Sequence, residues 1–244
     1  MRRGVLLAAL TTVVLVSSGA RPSLAQTPPT AVVEDFTTEA VGGAPTSFRP
    51  QAGFWSVASE DGRPVLVEDG SQWQGSGLAT SLADQARAVY GERWAEFVDD
   101  LAETAYFPLA VFGRVEDFSN GTLSMRFKVL GGNLDQDAGL AFNIQPNGDF
   151  MALRSDTQEN NLLLYQWVQG QAMLLKRVER VPTSLGEWHE QTLVVAGSHV
   201  TGLLDGKVYL DATLDAPVSG QVGLWSKTDT LVLFDRFSVS MGYP

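Results

Sequence analysis

The sequence predicts an all-β protein, an antiparallel sandwich, and three observations carry that prediction. Short apolar–polar runs are punctuated by residue pairs ending in glycine. Asn147-Gly148 separates 139–145 from 149–154, Gln169-Gly170 separates 161–168 from 171–178, and Asp205-Gly206 separates 199–204 from 207–214. Such pairs favour type I′ turns, because both central residues take positive φ and so match the twist of the flanking strands. From residue 138 onward no helix-length periodic segment interrupts the runs, which argues against parallel βαβ units. The length of 244 residues suits one large β-domain, a class that reaches ~200–250 residues.

Taken in order, the elements begin with an expected leader. Arg2 and Arg3 precede an uncharged, mostly apolar run from Val5 to Val16, and Ser23-Leu24-Ala25 is a small-residue cleavage site. The run is shorter than the ~20 residues a helix needs to span a bilayer, so residues 1–25 read as a secretory signal peptide. Residues 26–31 read as a flexible lead. Val32-Val33-Glu34-Asp35-Phe36 opens the domain, and a Gly- and Pro-rich stretch follows to Pro50. Phe54 to Val57 and Pro64 to Val67 flank Asp61-Gly62 as a hairpin.

A break at 70–77 precedes the one segment with helical spacing. Leu82, Ala86, Val89, Phe97 and Leu101 recur at that spacing over 81–103, with Trp94 and Val98 alongside and charged residues opposite. Ser81 can cap it and Gly91 can divide it, so a helical excursion between strands is expected. Strands are expected again at 107–113 and 121–130, then the meander described above, then a last block at 220–239.

Charge narrows the partners. The chain carries 17 Lys and Arg against 28 Asp and Glu, a net of −11, and loss of residues 1–25 would remove three arginines and no acid. Nucleic acid and anionic membranes require clustered basic residues, so neither is expected as a partner. No cysteine is present, so the core must hold the fold without disulfides.

Catalytic motifs are scarce. None of the 12 glutamates has an aspartate two positions later, so the Glu-x-Asp-x-Glu strand of jelly-roll glucanases is not there. His189 and His199 are the two histidines, one beside Trp188 and one at a turn, and no Gly-x-Ser-x-Gly, zinc spacing or phosphate loop occurs. Asn133-x-Asp135-x-Asp137 begins like a calcium loop, but position twelve is Ile144 rather than a bidentate glutamate. A solvated acidic turn is the alternative.

The blocks DQDAGLAFN (135–143), GDFMALRSDTQENNLLLYQW (148–167), GEWHEQTLVV (186–195), LLDGKVYL (203–210) and GQVGLWSKTDTLVLFDRFSV (220–239) carry a resemblance. They resemble the concanavalin A-like lectin, glucanase and laminin-G superfamily. Within it they look most like its bacterial secreted, keto-disaccharide hydrolase-like branch. The resemblance implies a jelly-roll β-sandwich over 32–244 whose curved inner sheet faces sugar. It places Arg154, Asn160, Asn161, Gln166, Trp225, Lys227 and Asp229 on that surface. Arg, Asn, Gln and Asp can each make two directional bonds to vicinal hydroxyls, and a Trp face can stack on a pyranose. Trp225 and Trp188 as core anchors is the alternative.

The resemblance also implies a structural calcium where the first and last strands meet, held by Glu34, Asp35 and Asp235; an Asp235–Arg236 surface without an ion is the alternative. No other cofactor is expected. The branch's Asn-Ser-Gly and Gly-Tyr-Glu strands read here Asp137-Ala138-Gly139 and Gly148-Asp149-Phe150, without the Glu. The expected function is therefore that of a secreted or periplasmic carbohydrate-binding protein without an evident catalytic motif. The alternatives are a glycoside hydrolase or lyase, and a structural envelope protein mediating protein contacts.

Overall fold

The computed structural model describes residues 30–72 and 107–242. The expected leader and the 81–103 excursion lie outside them. Fifteen strands are found in that range: β1 (Thr30–Glu34), β2 (Phe48–Ala52), β3 (Trp55–Glu60), β4 (Arg63–Asp69), β5 (Leu109–Phe112), β6 (Asn120–Gly131), β7 (Asp137–Ile144) and β8 (Phe150–Asp156), followed by β9 (Asn161–Val168), β10 (Gln171–Glu179), β11 (His189–Ala196), β12 (His199–Leu204), β13 (Lys207–Thr213), β14 (Gln221–Trp225) and β15 (Leu231–Met241). Among the described residues no helix is long and apolar enough to cross a membrane.

The strands form two antiparallel sheets. One has eight strands, in the order β13-β12-β11-β6-β15-β4-β3, with β1 also on β15. Strand β15 serves two neighbours on one side: Leu231 to Phe234 pair with β4, and Phe237 to Met241 pair with β1. Thr30 and Ala31 belong to this pairing, so the strand starts inside the stretch expected as a flexible lead. The other sheet has seven strands, in the order β10-β9-β8-β7-β14-β5-β2.

Period-two alternation builds the eight-stranded sheet. On β6, Leu123, Met125, Phe127 and Val129 are buried, while Thr122, Ser124, Arg126 and Lys128 alternate with them and are half-buried. The buried set meets its counterpart from the second sheet, and Phe48, Phe112 and Phe237 pack there with ring centroids 4.9–5.3 Å apart. Each buried large side chain contributes about 1.5–3 kcal/mol, so these rings dominate the inter-sheet core.

The seven-stranded sheet breaks the alternation. All seven residues of β8 are buried, and β7, β9 and β14 are nearly so. Its inner face joins the inter-sheet core, and its outer face carries a second apolar cluster that includes Ala141, Phe150, Ala152, Leu163, Tyr165, Trp167 and Trp225.

The turns explain the registers. Asp61-Gly62, Gln169-Gly170 and Asp205-Gly206 have both residues at positive φ (50/78°, 52/78° and 50/75°), as type I′ geometry requires. Asn147-Gly148 differs from the expectation. Only Gly148 is positive, at 89°, and its N–H donates to the Gln145 carbonyl at 3.0 Å. Pro146 sits between them, and a proline at the first central position holds φ near −65°, which favours a longer type I turn.

Candidate functional site

Register lines up the outer face of the seven-stranded sheet in rows. One row runs Arg49, Val111, Gly223, Ala141, Ala152, Tyr165. The next runs Leu109, Trp225, Gly139, Arg154, Leu163. Beyond it Asp137, Asp156 and Asn161 are partners, and on the opposite side Gln221 pairs with Ile144 and Phe150 with Trp167. Gly139 is the seat for Trp225: a Cβ there would stand 2.9 Å from the indole Cε3 and 3.0 Å from the Leu153 carbonyl oxygen.

The middle of this face is an aromatic cluster. Phe150 and Trp167 stack at 4.6 Å with 3° between planes, Phe107 stacks on Trp225 at 5.9 Å, and Trp167 and Trp225 lie 5.6 Å apart. The space they enclose with Arg154 and Lys227 is about 10 Å³, near the minimum for one water. Among the described residues the buried indole N–H groups of Trp167 and Trp225 have no hydrogen-bond partner.

Beside the aromatics lies a buried ionic cluster. Arg154 Nε donates to Asp137 Oδ1 at 2.7 Å and its Nη2 donates to Asp156 Oδ2 at 2.8 Å. Lys227 Nζ is 3.0 Å from Asp135 Oδ1. Burial pushes the Asp137 carboxyl well above the ordinary range; Arg154 pulls it back, while Asp156 and Asp135 push it further up. Its Oδ2 has no hydrogen-bond partner among the described residues. The shift has a structural cause, since Asp137 is 0% exposed.

The residues expected to bind sugar fall into different places. Arg154, Asn161, Trp225 and Lys227 are buried, the first and last within the ionic cluster. Asn161 Nδ2 donates to Glu159. Asn160 is a turn residue at φ 54°, and its side-chain oxygen accepts the Thr183 N–H. Gln166 pairs across strands with Met151, a residue of the inter-sheet core, so it points away from the outer face. Asp229 caps a loop: its carboxylate accepts the N–H groups of Asn133, Leu134 and Asp135 at 2.7–3.1 Å.

The expected calcium ligands do not fit a shared ion. Glu34 takes the Phe36 N–H and Arg114, Asp35 takes the Thr37 hydroxyl and N–H, and Asp235 pairs with Arg126. Asp135 and Asp137 of the other candidate loop each face a cation instead. Among the described residues no three His, Asp or Glu side chains are set to hold a metal.

His189 and Trp188 are braces. His189 Nδ1 bonds Asp205 at 2.8 Å, and its Nε2 accepts the Ser184 N–H at 2.9 Å. Trp188 packs beside Val65, Val67 and Leu233 on the other sheet, with Arg126 and Lys128 at 4.9 and 5.2 Å from its ring.

The open part of the outer face lies elsewhere, toward β2. A groove of about 400 Å³ has Leu109, Val111 and Ile144 among its apolar lining, with Arg49, Gln51, Gln145 and Gln221 at its polar rim. Its described lining contains no carboxylate. This rim went unread in the sequence because residues up to Pro50 looked like a Gly- and Pro-rich connection. The available signal was Phe48, buried, followed by exposed Arg49 and Gln51. Pro50 is compatible with a strand because β2 is an edge of its sheet.

No protein-family model matches the chain, and no curated protein sequence matches it. Solved structures do resemble it. A carbohydrate-binding module, CBM66, from Bacillus subtilis aligns with a TM-score of 0.55 at 14% identity, over 78% of this chain and 92% of that one. A Bacillus subtilis protein of unknown function with a galectin-like fold gives 0.56 at 12%, over 88% and 97%. A native glycosidic hydrolase gives 0.51 at 11%, over 88% and 98%. These likenesses define the fold, a concanavalin A-like jelly-roll sandwich, and leave function to the site.

Proposed function

We propose that the protein is a carbohydrate-binding β-sandwich that holds sugar in the groove between β2, β5, β14 and the 145–148 turn. The carrying observation is the groove: its volume falls in the range of ~300–1,000 Å³ usual for ligand sites, with amide and guanidinium groups rimming an apolar floor. Sugars match that pairing, with hydroxyls at the ring edge and C–H groups on the ring face. Binding rather than hydrolysis is favoured because glycosidases need two carboxyl groups across the scissile bond, and the groove's described lining has none. On this reading residues 1–25 direct export, and the ligand is met outside the cytoplasm.

The test is a glycan array probed with the chain lacking residues 1–25, followed by calorimetry on the hits. Binding that Gln221→Trp abolishes without loss of fold supports the groove. A folded protein that binds nothing on the array, or whose binding ignores Gln221→Trp, sinks the reading.

A further inference from the structure

We infer that the groove is built for an acidic sugar, a uronic acid residue whose carboxylate sits on Arg49. This rests on the carbohydrate-binding reading and names its ligand class. Arg49 is the one charged residue among the described lining, within a chain of net charge −11. It is exposed on β2, and its guanidinium makes no hydrogen bond or ion pair with the described residues. A planar guanidinium with a free edge donates two parallel N–H···O bonds to a carboxylate, and these charge-assisted bonds are roughly twice as strong as those to neutral hydroxyls.

The rest of the rim complements the other half of such a residue. Gln51 Nε2 donates to the Arg49 carbonyl, and Gln145 Nε2 donates to the Asn143 and Ser219 carbonyls. Their amide nitrogens are thus engaged within the protein, and their Oε1 atoms remain as acceptors. Gln221, whose side chain makes no hydrogen bond with the described residues, adds one more acceptor and a donor. One cation beside three amide carbonyls matches one carboxylate beside two or three hydroxyl donors. A neutral sugar could meet the guanidinium with vicinal hydroxyls but would leave its charge uncompensated. A sulfated sugar would also meet Arg49, but it requires no neighbouring row of hydroxyl acceptors.

Calorimetry would compare an oligogalacturonate with the same oligosaccharide after carboxyl reduction, using wild type, Arg49→Gln and Arg49→Lys. The expected result is binding of the uronate only. Arg49→Gln should weaken it at least tenfold, which corresponds to about 1.4 kcal/mol. Arg49→Lys should recover part of the loss, since Lys keeps the charge but not the fork. Raising NaCl should weaken the uronate complex as screening grows. Equal binding of the reduced oligosaccharide, unchanged by Arg49→Gln, overturns the acidic-sugar inference and leaves the carbohydrate reading standing. Absence of any binding, here and on the array, overturns both.

Discussion

Arg154 on β8 reaches across to β7 and donates from Nε to Asp137 Oδ1 at 2.7 Å, with both side chains almost wholly buried, at 3% and 0% exposure. Asp156 completes the pairing through Nη2. A buried ion pair stabilises less than its Coulomb energy suggests, but removing one partner strands the other charge at a cost of ~3–5 kcal/mol. Arg154→Ala should therefore lower the urea midpoint markedly. Glycan binding, measured where the variant remains folded, should persist. Unchanged stability with lost binding would return Arg154 to the sugar site.

Glu68 sets a pH dependence. It is 0% exposed, its Oε2 has no partner among the described residues, and Oε1 accepts a long 3.4 Å bond from the Phe54 N–H. Burial pushes its carboxyl up to about 8 from an ordinary 4.5. Between those pH values the folded chain keeps a proton that the unfolded chain has released. Stability from this group is thus complete below about pH 4.5 and falls as pH rises to 8, by an amount on the order of a few kcal/mol. Glu68→Gln should flatten that slope and raise the denaturation midpoint at pH 9 relative to wild type. Asp137 contributes with the same sign, so the difference between the two proteins isolates Glu68. Parallel slopes for both proteins would mean that Glu68 is ionised in the fold.

Gly139 should not tolerate alanine. The added methyl would overlap the Trp225 ring edge and the Leu153 carbonyl, and only the ring can move. Overpacking of this kind costs ~1–3 kcal/mol. Gly139→Ala should lower thermal stability by that amount and shift tryptophan emission, because Trp225 stacks on Phe107 and neighbours Trp167. Wild-type emission together with wild-type stability would show that Trp225 does not rest on this glycine.

The meander was legible because its signals are local. Gln169-Gly170 and Asp205-Gly206 specify their turns with two residues each, and they fold as read. Asn147-Gly148 was misread in turn type because Pro146, one residue earlier, dominates the geometry. The site was harder for a different reason. Arg154, Lys227 and Asp137 look like ligand-facing groups when each is taken alone. Their pairing depends on the β7–β8 register and on the Ser226–Thr230 connection, and neither is written in the spacing of any one strand. Arg49 and Gln221 are 172 positions apart and meet only because β2, β5 and β14 are adjacent.

Asp229 separates the two possible locations of binding. Its carboxylate accepts three consecutive backbone N–H groups from 133–135, and this loop holds Asp135 against Lys227. Hydrogen bonds to a charged acceptor contribute ~1.5–3 kcal/mol each before solvent screening, and Asp229 is half-buried, so the lower end applies. Asp229→Ala should destabilise the protein by a few kcal/mol in urea titration, and Asp229→Asn by less, since one acceptor oxygen remains. Neither residue exchange touches the groove, so calorimetric affinity for the groove's ligand should stay within about twofold of wild type. If Asp229→Ala instead abolishes sugar binding while the urea midpoint holds, the carboxylate is a ligand group. The binding site would then lie at the 131–135 loop rather than between β2 and β14.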